Sequence, residues 1–172
     1  ESEDPWNYRS SSYEGRKYRR ALDCARRWEP RSGRALEIGC SIGVFSRMLL
    51  DHYAQVTAVD ISREAIAVAS RRNPAPERLR FARGDVRTLR LAQTYDAIFC
   101  AEVLYYLPRR AAAAVCATLD AHLAEGGVIV FVSGQLGGAD DFMAFEGWAE
   151  VLAARFRLLS QETVDDPSRP YL

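Results

Sequence analysis

Lysine is nearly absent from this chain of 172 residues: Lys17 is the single one, and arginine supplies the rest of the positive charge. Lysine plus arginine and aspartate plus glutamate stand at 23 each, so no net field of one sign draws the chain onto nucleic acid. No apolar run reaches the roughly 18 residues of a membrane-spanning helix. Cysteines are few, and Cys24, Cys40, Cys100 and Cys116 form no Cys-x-x-Cys pair; they fall in predicted helices, strands or a glycine turn. That pattern argues against a disulfide framework or a metal site and fits reduced structural thiols in a cytoplasmic protein. The two histidines, His52 and His122, fall on predicted helices away from strand ends and read as structural. There is no repeat, low-complexity tract or linker. The chain starts at Glu1 instead of Met, so the lack of a leader segment carries little weight. What is present is the composition of an ordinary globular domain, 48% hydrophobic and 10% aromatic. Residues 1–172 read as one domain, with 1–32 a capping segment and helix and 33–172 the core.

Residues 35–46 organise the rest. A short apolar run carrying Glu37 leads to Gly39 and Gly43, and a helix follows with Val44, Phe45, Met48 and Leu49 on its apolar side. This is the pattern of a buried parallel strand, a tight glycine turn and a helix N-terminus. Open α/β sheets bind ligands at such a carboxyl end, where glycine lets a ligand lie against the main chain. A nicotinamide dinucleotide fingerprint wants glycine at the first, third and sixth positions; here they hold Gly39, Ser41 and Val44, a match at one.

Residues 55–60 read as a second strand ending in Asp60, 21 positions after Gly39. An acid there can accept both hydroxyls of an adenosine ribose. Its alternative role is to cap the next helix, for which Ser62 is better placed. That helix, from about Arg63, stops before Pro74 and Pro76. A third strand over 79–83 leads into Gly84-Asp85-Val86, where the carboxylate can accept the exocyclic amine of adenine while the Val86 amide serves a ring nitrogen. An ordinary Gly-Asp turn is the competing reading.

A fourth strand over 95–101 delivers Glu102 at its carboxyl end, followed by Tyr105 and Tyr106. Consecutive helical positions diverge, so one tyrosine is expected to face the site. Pro108 starts an alanine-rich helix that Gly126 or Gly127 ends. Residues 128–132 form a fifth strand. The glycine-rich run 133–138 is a plausible acceptor-side lid, a helix carries Phe142, Phe145, Trp148, Val151 and Leu152, and 155–164 is expected to be a sixth strand. At the other end, serine caps a helix from Ser11 or Ser12 to about Trp28. Either that helix simply packs on the sheet, or Trp6, Tyr13 and Lys17 close over a ligand.

The alternation of strand and helix, with acids at successive strand ends, resembles the class I S-adenosylmethionine-dependent methyltransferases over roughly residues 33–164. The implied fold is an α/β, Rossmann-like sheet with helices on both faces and its final strand missing or truncated. More narrowly, Asp4-Pro5-Trp6, the Tyr13-Glu14 helix, Leu36-Glu37-Ile38-Gly39-Cys40 and residues 101–107 resemble nodulation protein S (NodS), a family that N-methylates a partly deacetylated chitin-like oligosaccharide. The resemblance implies S-adenosylmethionine as cofactor, S-adenosylhomocysteine as product and a small-molecule or oligosaccharide acceptor. It places Glu37, Gly39, Cys40, Gly43, Asp60, Ile61, Asp85, Val86 and Ala101 at the cofactor, together with Trp6 and Tyr13 from the capping segment. Glu102, Tyr105 and Tyr106 are the implied catalytic group. Where the related turn has a middle glycine, this chain has Ser41. The alternatives are an O-methyltransferase of natural-product or sugar biosynthesis and a non-catalytic S-adenosylmethionine-binding module. A missing last strand would leave an open sheet edge, which favours a homodimer.

Overall fold

Apolar segments of five to ten residues assemble into one wholly parallel sheet in the order β3-β2-β1-β4-β5. In the computed structural model these are β1 (Arg34–Ile38), β2 (Gln55–Asp60), β3 (Leu79–Arg83), β4 (Tyr95–Ala101) and β5 (Leu123–Val132). The helices are α1 (Ser12–Trp28), α2 (Val44–Leu49), α3 (Arg63–Arg72), α4 (Ala112–His122) and α5 (Phe145–Ala153). The structure describes residues 4, 8, 10–29, 32–74, 77–134 and 143–164. Trp6, Phe142, the glycine-rich run beyond Gly134 and the last eight residues lie outside that set.

Successive strand residues point to opposite faces, and the apolar runs fill both. Ala35, Val56, Ala97 and Phe99 face α1 and α2, packing on Ala21, Leu22, Phe45 and Leu49. Leu36, Val59, Ile98 and Cys100 face the other way, onto Val115 and Leu119 of α4 and Trp148 of α5. The sheet is therefore sandwiched, as the sequence reading expected. Local chemistry sets the helix starts: Ser11 accepts the Glu14 amide and Ser62 the Ala65 amide. His122 bridges two chain segments, with one ring nitrogen 2.7 Å from the Thr118 carbonyl and the other accepting the Leu91 amide. Its role is structural.

Two expectations fail. Gly126 and Gly127 do not end α4, which stops at His122; β5 begins at once and crosses the glycines in a bulge. Tyr95 pairs with Leu123 and Ala97 with Val128, so residues 124–127 stand opposite Asp96 alone. Gly126 has φ 71°, and a Cβ on Gly127 would lie 2.9 Å from the Asp96 carbonyl, so this pair serves the bulge. Nor is there a sixth strand over 155–164. Its apolar residues serve opposite faces instead: Phe156 packs on the α4–α5 side and Leu159 on the α1 side. Its polar groups divide likewise: Arg155 donates to Asp120 of α4, while on α1 Trp28 Nε1 donates to Ser160 Oγ at 3.3 Å and Arg27 to Glu162 at 3.2 Å. Alternation fits a strand or a strap across a sheet edge equally well, and side-chain partners decided for the strap.

Gly43 precedes α2 with φ 78°, and a Cβ there would lie 2.8 Å from Phe81 and 2.9 Å from Asn73. Left-handed strain and overpacking act together, so Gly43→Ala should destabilise the fold by roughly 2–4 kcal/mol. Urea unfolding checks this: the midpoint should fall at unchanged slope, and an unchanged midpoint would refute the packing argument.

Candidate active site

Parallel register aligns the strand ends. Ile38 pairs with Val59 and with Cys100, and Asp60 pairs with Arg83, so Gly39, Asp60, Gly84 and Ala101 begin their loops along one edge of the sheet. The chain leaves β1 through three left-handed residues, Gly39 (φ 78°), Ser41 (φ 47°) and Gly43 (φ 78°). The Gly39 and Cys40 amides both donate to the Val59 carbonyl, at 2.8 and 3.0 Å. Ser41 occupies a left-handed conformation that favours glycine. Space explains the flanking glycines differently from the sequence reading. A Cβ on Gly39 would press on Val103, and one on Gly43 on Phe81 and Asn73, so Gly43 serves helix packing and does not line the cleft.

Glu37 is buried in β1, 4% exposed, and Ser46 Oγ of α2 donates to its Oε2. Burial pushes its pKa up to about 7; the Ser46 bond opposes this and the charge of Asp60 adds to it. No salt-bridge cation stands against it among the described residues. Cys40, which feels the Glu37 charge, and Cys100, on the other face of the sheet, are both buried, and burial pushes their thiols up as well, Cys100 to about 12, so neither is a nucleophile at neutral pH.

Asp60 at the end of β2 accepts the Ser41 amide on Oδ2 at 2.8 Å and the Ser62 amide on Oδ1 at 2.9 Å. One carboxylate thus organises two loops and keeps further lone pairs. Ile61 next to it is 59% exposed, an apolar surface at the sheet edge. On the neighbouring loop Val86 is buried, while Asp85 is gripped by Arg87, whose Nε lies 2.9 and 3.0 Å from its two oxygens. That bond holds the Asp85 pKa below the usual carboxylate value. The sequence reading did not anticipate this partner.

Glu102 leaves β4 with φ 57°, and its amide donates to the Val132 carbonyl. Its Oε2 accepts the Gly134 amide at 2.9 Å and its Oε1 faces Lys17 Nζ at 3.4 Å. Tyr105 and Tyr106 do not diverge: they lie in a 3₁₀ turn, Leu104–Tyr106, with ring centroids 4.4 Å apart and hydroxyls 3.4 Å apart. Tyr105 is the half-buried one. Burial, the Tyr106 bond and the charge of Glu102 hold its hydroxyl above the ordinary phenol pKa, so it stays protonated.

These elements enclose a cleft walled by Glu37, Gly39, Cys40, Ala101 and Glu102, all of which the sequence singled out. Tyr8, Tyr18, Ile42 and Val44 also line it and were missed. Tyr18 reads as core because it lies on the apolar stripe of α1; its place four residues after Glu14 is the signal that it shares a face with a buried acid. Tyr13 stands beneath the Lys17 ammonium and is not on the cleft wall. Asp60, Ile61 and Asp85 lie outside the cleft's lining, on neighbouring strand ends along the same edge.

A family model described as nodulation protein S (NodS) matches residues 1–150. Nodulation protein S of Sinorhizobium fredii (strain NBRC 101917 / NGR234) is 32% identical over 133 residues, 77% of this chain and 61% of that protein. The chain thus spans less than two thirds of that relative's length. The crystal structure of N-methyltransferase NodS from Bradyrhizobium japonicum WM9 with S-adenosylhomocysteine is similar at TM-score 0.74 and 25% identity, over 89% of this chain and 80% of that one. That of S-adenosylmethionine-bound CalS10, an amino pentose methyltransferase of calicheamicin biosynthesis from Micromonospora echinaspora, is similar at TM-score 0.68 and 26% identity, over 82% and 58%.

Proposed function

The chain belongs to the nodulation protein S family, and from that premise we propose that it transfers a methyl group from S-adenosylmethionine to the amine of an amino sugar or similar small molecule. The observation that carries the proposal is a single cleft lined both by a cation-free buried carboxylate, Glu37, and by Glu102. A carboxylate buried with one hydroxyl for a partner is an unfavourable anion until a cation arrives, and a methionine ammonium supplies one. The cleft fits that group. Gly39 lines the cleft beside it, Asp60 accepts the ribose hydroxyls with its remaining lone pairs, and Ile61 offers an apolar face to adenine. Val86 supplies the adenine contact through its amide; Asp85, shared with Arg87, contributes less than its position in the sequence suggests.

The bound cofactor supplies an activated methyl on a good leaving group, so the chain's task is alignment and exclusion of water. An amine attacks only through a free lone pair, and one proton must leave as the new N–C bond forms. Glu102 orients the amine and accepts that proton, directly or through water. Tyr105, which stays protonated, orients the acceptor as a donor and cannot be the base.

The test is mass-spectrometric detection of methyl transfer to matched glucosamine oligomers, one with a free terminal amine and one N-acetylated. Methylation of the free amine alone is expected. Methylation of both would move the reaction to a hydroxyl, and no product despite S-adenosylhomocysteine binding would leave a binding module.

A further inference from the structure

The only lysine of the chain does not stand ready for a ligand. Lys17 Nζ lies 2.9 Å from Glu14 Oε1, 2.8 Å from Glu14 Oε2 and 3.4 Å from Glu102 Oε1. Two of its N–H groups donate, to Glu14 Oε1 and Glu102 Oε1, while Glu14 Oε2 lies within ion-pair distance but accepts no hydrogen bond. It also sits over two rings, 5.5 Å from the Tyr13 centroid and 5.4 Å from that of Tyr18. Tyr18 is itself stacked on Phe45 of α2, centroids 4.7 Å apart. The lysine side chain is 10% exposed, Glu14 5% and Glu102 20%. At that burial the pair is screened far less than a surface ion pair.

We propose that Lys17 is a positioning residue for the acceptor side of the site: anchored by Glu14, it draws the Glu102 carboxylate toward α1 and so sets the direction in which Glu102 meets the acceptor amine. The inference rests on the reading of Glu102 given above. Three further features support it. Glu102 is held in a left-handed backbone conformation that side chains rarely adopt, as residues at working sites often are. Its other oxygen accepts the Gly134 amide, so Lys17 and Gly134 each hold one oxygen of a carboxylate that lines the cleft. Finally, Glu14, Lys17 and Glu102 sum to one negative charge, which suits an amine that arrives protonated or donates a hydrogen bond and disfavours an anionic acceptor. Lys17 thus acts through Glu102, to which it donates.

Lys17→Met, Lys17→Arg and Glu14→Gln separate this from a packing role. With a free-amine glucosamine oligomer as acceptor, Lys17→Met should lower kcat/KM at least tenfold while the dissociation constant for S-adenosylhomocysteine stays within about twofold. Lys17→Arg, which keeps the charge, should recover most of the loss, and Glu14→Gln should fall between. An equal loss of cofactor affinity, or no recovery by arginine, would overturn the assignment. An independent readout needs no turnover: the side-chain ¹³Cε–¹Hε signal of the single lysine, in protein labelled at lysine, should move on Glu102→Gln. If it does not, the Lys17–Glu102 contact is absent in solution and the proposal fails. If the unaltered protein methylates no amine yet the signal moves, the amine reading fails and the clamp stands.

Discussion

Asp60→Ala is expected to weaken S-adenosylhomocysteine binding at least tenfold, about 1.4 kcal/mol, the scale of a charged hydrogen bond. The loss has two sources. A ribose would lose its acceptor, and the Ser41 and Ser62 amides would lose theirs, loosening the glycine turn and the start of α3. Two partly buried donors left without partners cost roughly 1–3 kcal/mol each, so the melting temperature should fall too. Asp60→Asn separates the sources. It keeps one acceptor oxygen and turns an NH₂ toward a backbone N–H, so it should retain part of the stability while still binding poorly. Titration calorimetry at a temperature where both variants are folded reads the affinity. An unchanged dissociation constant for Asp60→Ala would sink the ribose assignment and leave Asp60 a loop organiser.

The second large effect is on pH. Glu37 has its folded pKa raised from 4.5 to about 7 by burial. Between those values the ligand-free native state binds more protons than the unfolded chain, so stability falls as pH rises. The contribution is fully present below about 4.5 and lost through about 7, and its size is on the order of 3 kcal/mol. Binding of an ammonium runs the other way. The ligand needs the ionised carboxylate, so its affinity should rise with pH, approaching tenfold per unit below about 7, and level off above. Proton release on binding should show as an enthalpy that depends on the buffer. Glu37→Gln should flatten both profiles and weaken binding at pH 8. A pH-independent affinity in the unaltered protein would mean that Glu37 does not meet the ammonium.

The sequence by itself determined the sheet and the edge at which its strand-end acids gather. Continuous apolar runs can be buried on both faces only in a covered parallel sheet, and Glu37, Gly39, Asp60, Asp85 and Glu102 fall at or beside strand ends because the chain order puts them there. Serine caps and turn glycines act within a few residues, so Ser11, Ser62 and Gly43 were legible as well. The tertiary structure alone decided what depends on how distant segments cross. Nothing local says that Lys17 meets Glu102, 85 positions away, instead of a ligand. Whether 155–164 pairs with β5 or straps across to α1, and whether Gly126-Gly127 ends a helix or opens a bulge, turned on which partners were within reach. Even Arg87, two residues from Asp85, took that carboxylate through a loop conformation that no periodicity records. Pattern and propensity fix where the backbone goes; the charge of a site is set by which side chains the finished fold brings within 3–4 Å.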